Sequence, residues 1–233
     1  MADIAIRNAF EIFSYSFAVI TVIMTVFYQF VPFFRKKLLL SKMLSSASFF
    51  LTGIFAAAVH PGSYAFCMLA ALFLCLLGDF FLDYKKKTFF IGVSFFSLGH
   101  IIYIATFLKV CTPSLMPNIV HMVILFFIVV LMGIVHIRMD KIRFEGKNKV
   151  MYLYSLLLIV SFVVAATRGI TSAISGNMPF GLSLALGGGM FMISDAFLAS
   201  QLYGVPKLRR TDAGVALFYF PAQALFALSI IFH

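Results

Sequence analysis

Two aspartates within long hydrophobic segments, Asp79 and Asp195, are the residues of this sequence best suited to chemistry. They share a local pattern of a small residue, Asp, any residue, Phe and Leu, written Gly78-Asp79-Phe80-Phe81-Leu82 and Ser194-Asp195-Ala196-Phe197-Leu198. A carboxylate in hydrocarbon costs about 2.5–3.5 kcal/mol on the translocon insertion scale, so it is retained there mainly for a function. Two such groups can divide the work of a general acid and a general base, or can relay a proton. The matched pair therefore predicts one functional site.

The composition indicates a membrane protein. The chain is 63% hydrophobic, with 30 phenylalanines and 11% charged residues in 233 positions. A soluble domain of this length has too little interior to hide so much apolar surface, so lipid must be the solvent for much of it. The first apolar stretch, from Phe10 to Phe34, is too long for a signal-peptide core and lacks a cleavage pattern. Because the apolar runs also lack the alternation of barrel strands, we expect an all-α integral membrane protein.

Eight apolar segments are long enough to cross a bilayer as helices. They form a single transmembrane domain over residues 1–233 and lie near residues 9–32, 41–60, 64–82, 88–108, 117–137, 150–174, 179–203 and 212–232. Asp79 and Asp195 fall on the third and seventh segments, 116 residues apart. This spacing suggests a parallel 4+4 internal repeat within an eight-helix transmembrane bundle.

The net charge of +10 arises mainly from basic residues in the turns, which is a topology signal. Fifteen of the 18 lysines and arginines follow the first, third, fifth and seventh segments: Arg35, Lys36, Lys37, Lys42, Lys85, Lys86, Lys87, Arg138, Lys141, Arg143, Lys147, Lys149, Lys207, Arg209 and Arg210. The positive-inside rule then places these turns in the cytoplasm and both termini outside. We do not expect a nucleic-acid partner, and the short chain favours a bacterial inner membrane.

The predicted topology brings the two aspartates to similar depths. Helical rise places Asp79 about 8 Å and Asp195 about 12 Å from the charged ends of their helices. Asp83 follows Asp79 by one turn but borders Lys85 to Lys87, so we expect it to be solvated. The pair Gly187-Gly188 shares a face with Asp195, and a face of small residues lets a neighbouring helix approach closely. We therefore expect Asp195 to point into the bundle.

Polar residues on the fourth and eighth segments could assist the aspartates. The fourth segment carries small and polar residues at helical spacing, and the eighth carries two polar residues one turn apart: Gly92, Phe96, Gly99, His100 and Tyr103, then Tyr219 and Gln223. A lone intramembrane histidine is more often a hydrogen-bonded packing residue than a ligand. We expect packing for His121, and we leave both roles open for His100.

A metal site is not expected. Zinc needs three convergent ligands, and Asp79, Asp195 and His100 could supply them in principle, but no HxxxH or similar spacing supports this. The three cysteines lack metal-type spacing and are interpreted as small apolar fillers: Cys67, Cys75 and Cys111. The sequence also lacks the glycine-rich motifs that bind nucleotides. We predict no cofactor.

Taken together, these motifs resemble the lysoplasmalogenase family of eight-helix membrane proteins, the YhhN-like group. The resemblance covers most of the chain and rests on three sets of residues: Gly78-Asp79 with Leu82, Phe90, Gly92, Gly99-His100 and Tyr103; Gly187 to Asp195 with Phe191 and Ser194; and Tyr219 with Gln223. The chain departs from the family pattern at two places. Met43 follows Lys42 where the family tends to place Pro, and Gly188 stands where the family favours Ala.

The resemblance implies hydrolysis of the vinyl ether bond of lysoplasmalogens, a lysophospholipid substrate taken from the bilayer. The products would be a fatty aldehyde and glycerophospho-ethanolamine or -choline. Asp79 and Asp195 would share the acid and base roles, which the sequence does not apportion. The remaining residues would bind the substrate or support the pair, with Lys42 near the lipid phosphate: Lys42, His100, Tyr103, Ser194, Tyr219 and Gln223.

Two other functions stay open at this stage. A proton-coupled transporter of lipids or small molecules would use the same aspartates as a proton relay. The segments are mostly continuous, although Pro221 is one candidate break in a helix. An intramembrane zinc amidase of the ceramidase type is disfavoured because the histidines are not clustered.

Overall fold

The computed structural model describes residues 2–31, 33, 38–110, 115–139, 149–203 and 211–233. Within these ranges the chain forms eight α-helices and no β-strand: α1 Ala2–Phe30, α2 Leu38–Val59, α3 Ser63–Tyr84, α4 Phe89–Val110, α5 Leu115–Met139, α6 Lys149–Ile174, α7 Met178–Tyr203 and α8 Thr211–Phe232. One 3₁₀ turn, Lys86–Thr88, joins α3 to α4. The prediction of an all-α, eight-helix bundle is confirmed.

The helices have the length and hydropathy of membrane spans. Seven of those described are long and apolar enough to cross a bilayer, and α5 contributes a shorter apolar stretch, Met122–Arg138. Large apolar side chains on α5, such as Phe127 and Met132, remain exposed on the outside of the bundle, where lipid would surround them. These features indicate a multi-pass membrane protein. The helix α1 begins at Ala2, ahead of the span predicted from residue 9, because a helix can continue into the polar interface where hydropathy no longer marks it.

The helices close into a ring with α5 on its outside. Around the ring, α1 packs against α2, α2 against α3, α3 against α4, α4 against α6, α6 against α7, and α7 against α8. The last helix closes the ring, since α8 also contacts α1, α2 and α3, whereas α5 packs on α6. Because α3 and α7 both contact α8, this arrangement brings the two aspartate-bearing helices to one common neighbour.

Glycines allow the closest helix crossings. A Cβ atom added to Gly169 of α6 would lie 2.5 Å from the carbonyl oxygen of Gly181 in α7, so the two backbones touch directly there. A Cβ on Gly92 of α4 would lie 2.8 Å from the backbone nitrogen of Leu82 in α3. On α7, a Cβ on Gly188 would lie 2.9 Å from the Cβ of Ala165 in α6. The close approach expected at the glycines of α7 is therefore present.

The orientation in the membrane stays a prediction. Most of the basic residues that indicate it lie outside the described residues, as does one cysteine: Arg35, Lys36, Lys37, Lys141, Arg143, Lys147, Lys207, Arg209, Arg210 and Cys111. The side chain of His121 is likewise not described. The internal repeat and the bacterial inner membrane also stay predictions.

Candidate active site

A cavity of about 480 Å³ opens at the end of the bundle where α3 and α7 finish. Seven helices line it, all of those described except α5. Asp79 and Asp195 both lie on its wall. The two carboxyl groups that share a local sequence pattern therefore face the same space.

Asp79 lies at the meeting point of three helices. Its side chain is buried, with 1% of the residue exposed. The hydroxyl of Ser46 on α2 donates a hydrogen bond to its Oδ2 atom at 2.7 Å, and the hydroxyl of Tyr219 on α8 donates to the same oxygen at 2.8 Å. The other oxygen, Oδ1, lies 3.5 Å from the Nζ atom of Lys42. Two donors and one cation thus surround Asp79, as expected for a group held as a carboxylate.

Lys42 links two carboxylates of α3. Its Nζ atom lies 2.9 Å from Oδ2 of Asp83 and 3.5 Å from Oδ1 of Asp79. Lys42 and Ser46 are one turn apart on α2, so the same helix face supplies both a cation and a donor to Asp79. Asp83 is exposed, as expected, and it also pairs with a lysine from a neighbouring helix.

Asp195 has different surroundings. The hydroxyl of Tyr154 on α6 donates a hydrogen bond to its Oδ2 atom. Among the described residues, both ion pairs belong to Lys42, and no cation lies within 4 Å of Asp195. The two carboxyl groups of the cavity therefore differ in electrostatic environment, one beside a lysine and the other beside a neutral phenol.

Ser194 joins two helices at the cavity wall. Its side chain is buried, and its hydroxyl donates to the backbone carbonyl of Val215 in α8 at 3.0 Å. The serine therefore ties α7 to α8 next to Asp195. This contact gives the small residue before the aspartate a positioning role.

The three remaining predicted residues lie behind the cavity wall. The hydroxyl of Tyr103 on α4 donates to Oε1 of Gln223 on α8 at 2.8 Å, and Nδ1 of His100 lies 3.0 Å from the hydroxyl oxygen of Ser161 on α6. All three are buried and none of them lines the cavity. They are placed to support the cavity wall, and the structure does not bring them to the aspartates.

An aromatic contact connects this inner layer with the site. The ring of His100 packs edge to face on Phe191 with centroids 4.6 Å apart, and Phe191 packs in the same way on Tyr219 at 5.4 Å. Tyr219 is the donor to Asp79. His100 therefore contacts a ring that fixes the position of one donor.

Three residues that contact the two aspartates or Lys42 were not predicted as part of the site: Ser46, Tyr154 and Asp83. The spacing of Lys42 and Ser46 on one helix face was the available signal for the serine. The sequence offered no signal for Tyr154, because its contact with Asp195 depends on the rotation of α6 against α7. At the mouth, Gln201 donates to the carboxylate of Asp212, which adds a second polar contact between α7 and α8.

Within the described ranges, no three His, Cys, Asp or Glu side chains stand close enough together to hold a metal ion. His100, the histidine considered as a zinc ligand, has its Nδ1 atom directed at Ser161. No observation of the site favours the zinc amidase.

The comparisons with known proteins give one match. The profile of the YhhN family matches residues 37–230, a range that holds both aspartates and the residues around them. No curated protein and no solved structure matches the chain.

Proposed function

The chain belongs to the YhhN family, and from this premise we propose that it hydrolyses the vinyl ether bond of lysoplasmalogens. The products are a fatty aldehyde and a glycerophospho-ethanolamine or glycerophosphocholine. One observation carries the proposal: two carboxyl groups in unlike electrostatic surroundings line a single cavity. Vinyl ether hydrolysis can use such a pair, one group as the acid and the other as the base.

The reaction needs one acid and one base. A carboxylic acid transfers its proton to the β-carbon of the vinyl ether, which leaves an oxocarbenium ion at the carbon bonded to oxygen. Water adds to that carbon and gives a proton to a carboxylate, forming a hemiacetal. The hemiacetal hydroxyl then gives up its proton as the bond to the glycerol oxygen breaks, the glycerol oxygen takes up a proton, and the aldehyde is released. Transfer of the proton taken from water back to the first carboxyl group restores the starting state. Glycosidases handle the related cation with a similar pair of carboxyl groups.

The surroundings of the two aspartates support an assignment of these roles. Asp79 is the carboxylate, because Lys42 and two hydroxyl donors stabilise its negative charge. Asp195 is the acid, since a partly buried carboxyl group without a nearby cation favours its neutral form. In this assignment Asp195 protonates the substrate, and Asp79 stabilises the cation and accepts the proton of water.

The cavity also suits an amphiphile with one chain. Polar and charged side chains gather at its mouth: Gln29, Lys42, Asp83, Gln201 and Asp212. Apolar residues line another part of the wall: Val93, Phe96 and Phe220. A polar head at the mouth and an alkenyl chain against the apolar wall would bring the vinyl ether near the aspartates. Lys42, held between two carboxylates, is better placed as the charge partner of Asp79 than as the phosphate ligand suggested by the resemblance.

The experiment is a direct assay of aldehyde release. Protein purified in detergent is mixed with lysoplasmenyl-ethanolamine, and the aldehyde is measured by mass spectrometry. We expect Asp79→Asn and Asp195→Asn each to lower turnover by about 10²–10⁴-fold, the usual range for a general acid or base. The saturated ether analogue, which has no double bond to protonate, serves as the negative substrate. Near wild-type release from both variants would refute the mechanism.

The transporter alternative has less support from the helices. Substrate and ion sites of transporters are often formed by discontinuous helices. Pro221, the candidate break, lies inside the continuous helix α8. If the purified protein released no aldehyde but moved a fluorescent lysolipid across vesicles, the aspartates would be assigned to transport instead.

A further inference from the structure

A second polar cavity lies at the opposite end of the bundle from the aspartates. Its volume is about 350 Å³. The start of α1, the ends of α2 and α8, and the start of α3 surround it, and their polar lining consists of Arg7, His60, Ser63, Tyr64 and His233. Nothing in the proposed hydrolysis requires this cavity.

Arg7 brings a cation to the cavity and pairs with no carboxylate there. Its Nη2 atom donates to Nε2 of His60 at 3.1 Å, so that ring nitrogen is unprotonated. Asp3 and Glu11 lie one turn away on either side in α1, but neither forms an ion pair with Arg7, and Glu11 instead accepts a hydrogen bond from Tyr15. A guanidinium group carries five N–H donors, so most of them remain available to a ligand.

The other wall holds an imidazole in a fixed position. The ring of His233 stacks on Tyr64 with centroids 4.3 Å apart and an angle of 11° between the planes. Tyr64 is itself held by a hydrogen bond of 2.7 Å with the hydroxyl of Ser229. Burial and the nearby His60 lower the pKa of His233, so an anion between the two histidines would favour the charged form of the ring.

We propose that this cavity binds a phosphate group, carried either by a lipid head group or by free phosphate. Arg7 contributes the planar donor pair that suits two phosphate oxygens. His233 supplies a further donor when protonated. His60 can donate through Nδ1 while its Nε2 atom accepts from Arg7, and the hydroxyl of Ser63 supplies one more donor. A phosphate, with several oxygens directed to different sides, can use donors from α1, from α3 and from the residues that follow α2 and α8.

The affinity should rise as the pH falls. The titratable and charged groups that line the cavity with His233 are Arg7 on α1, His60 after α2, and Tyr64 on α3. Because a bound anion favours protonated His233, binding and proton uptake support each other. A shift of one pKa unit on binding corresponds to about a tenfold gain in affinity between the neutral and the protonated ring. Dimethyl phosphate is the suitable probe, since its single charge is constant over this pH range.

The test uses the full chain in dodecyl maltoside and records the imidazole signals of the histidines by NMR. One arm adds inorganic phosphate and dimethyl phosphate, and the other adds phosphatidylglycerol to the micelles. We expect the His233 signal, assigned with a His233→Asn variant, to shift on addition. Arg7→Gln should weaken this binding at least tenfold, whereas Arg138→Gln, at an exposed arginine on α5, should not change it.

Each outcome decides the proposal. A response to the soluble phosphates assigns the cavity to free phosphate, and a response to the lipid alone assigns it to a head group. If Arg7→Gln unfolds, His60→Gln takes its place, since it removes the other member of the hydrogen-bonded pair. No response in either arm, or equal weakening by Arg7→Gln and Arg138→Gln, would overturn the proposal. Aldehyde release is not part of the readout, so the result is independent of the proposed hydrolysis.

Discussion

Replacing Gly169 with alanine should separate α6 from α7 and destabilise the protein. The added Cβ would lie 2.5 Å from the carbonyl oxygen of Gly181 and 2.6 Å from the backbone nitrogen of Ala185. Ordinary contacts begin near 3.4 Å, so one backbone must move by about 0.9 Å. Neither contacting atom belongs to a flexible side chain that could swing away. The whole crossing must therefore open.

Two opposing effects determine how much Gly169→Ala changes the free energy of unfolding. Overpacking of this kind costs about 1–3 kcal/mol, whereas exchanging glycine for alanine within a helix gains about 0.5–1 kcal/mol. Gly133 on α5 provides the matched control, because a Cβ there would meet nothing within 4 Å. Gly133→Ala should show only the stabilisation that alanine gives over glycine within a helix, without the overpacking. We therefore expect the two variants to differ by roughly 2 kcal/mol in the free energy of unfolding, or about 4–8 °C in unfolding temperature.

A thiol-reactive dye can follow this unfolding in detergent. The side chain of Cys75 is fully buried, so it reacts only when the bundle opens. The unfolding temperature of Gly169→Ala should fall below that of the wild type, and that of Gly133→Ala should equal or exceed it. If Gly169→Ala unfolded at the same temperature as Gly133→Ala, the backbone contact between α6 and α7 would not stabilise the bundle as reasoned here.

Two further variants test the surroundings of the aspartates. Lys42→Met should lower aldehyde release at least tenfold, because Asp79 loses the cation that stabilises its negative charge, while the exposed Lys109→Met should act as the wild type. Tyr154→Phe removes the hydroxyl that positions the second carboxyl group and should lower kcat by about tenfold, for a hydrogen bond worth about 1.5 kcal/mol. Its control is Tyr84→Phe at an exposed tyrosine. A rate equal to that of the control in either assay would contradict the assigned contact.

The helices were predictable because length and hydropathy suffice for a membrane bundle. A run of about twenty apolar residues must satisfy its backbone within itself, so each such run becomes a helix. The start of α1 at Ala2 was missed because hydropathy marks only apolar residues, and the first turns of α1 carry polar residues such as Asp3 and Arg7. Which helices become neighbours depends on contacts such as that between Gly169 and Gly181, which no pattern along a single segment reveals.

Five residues of the cavity wall were named from the sequence: the two aspartates, which stand out by themselves, and the supporting residues Lys42, Ser194 and Tyr219. A carboxyl group inside an apolar helix stands out from the sequence, so Asp79 and Asp195 could be named. Ser46 and Tyr154 could not, because serines and tyrosines are common in such helices and their partners depend on helix rotation. The exposure of Asp83 was predictable from the lysines that follow it along the chain. Its pairing with Lys42 was not, because Lys42 reaches it from another helix.

The convergence of α2, α3 and α8 on one oxygen of Asp79 has a consequence for biosynthesis. Tyr219, one of its two donors, lies 140 residues further along the chain. While the ribosome still synthesises the later helices, Asp79 and its lysine lack this partner and the cavity lacks one wall. The hydrogen bonds of Asp79 and the cavity wall are therefore complete only after α8 is inserted, so we expect the proposed hydrolysis to begin only once α8 is in place.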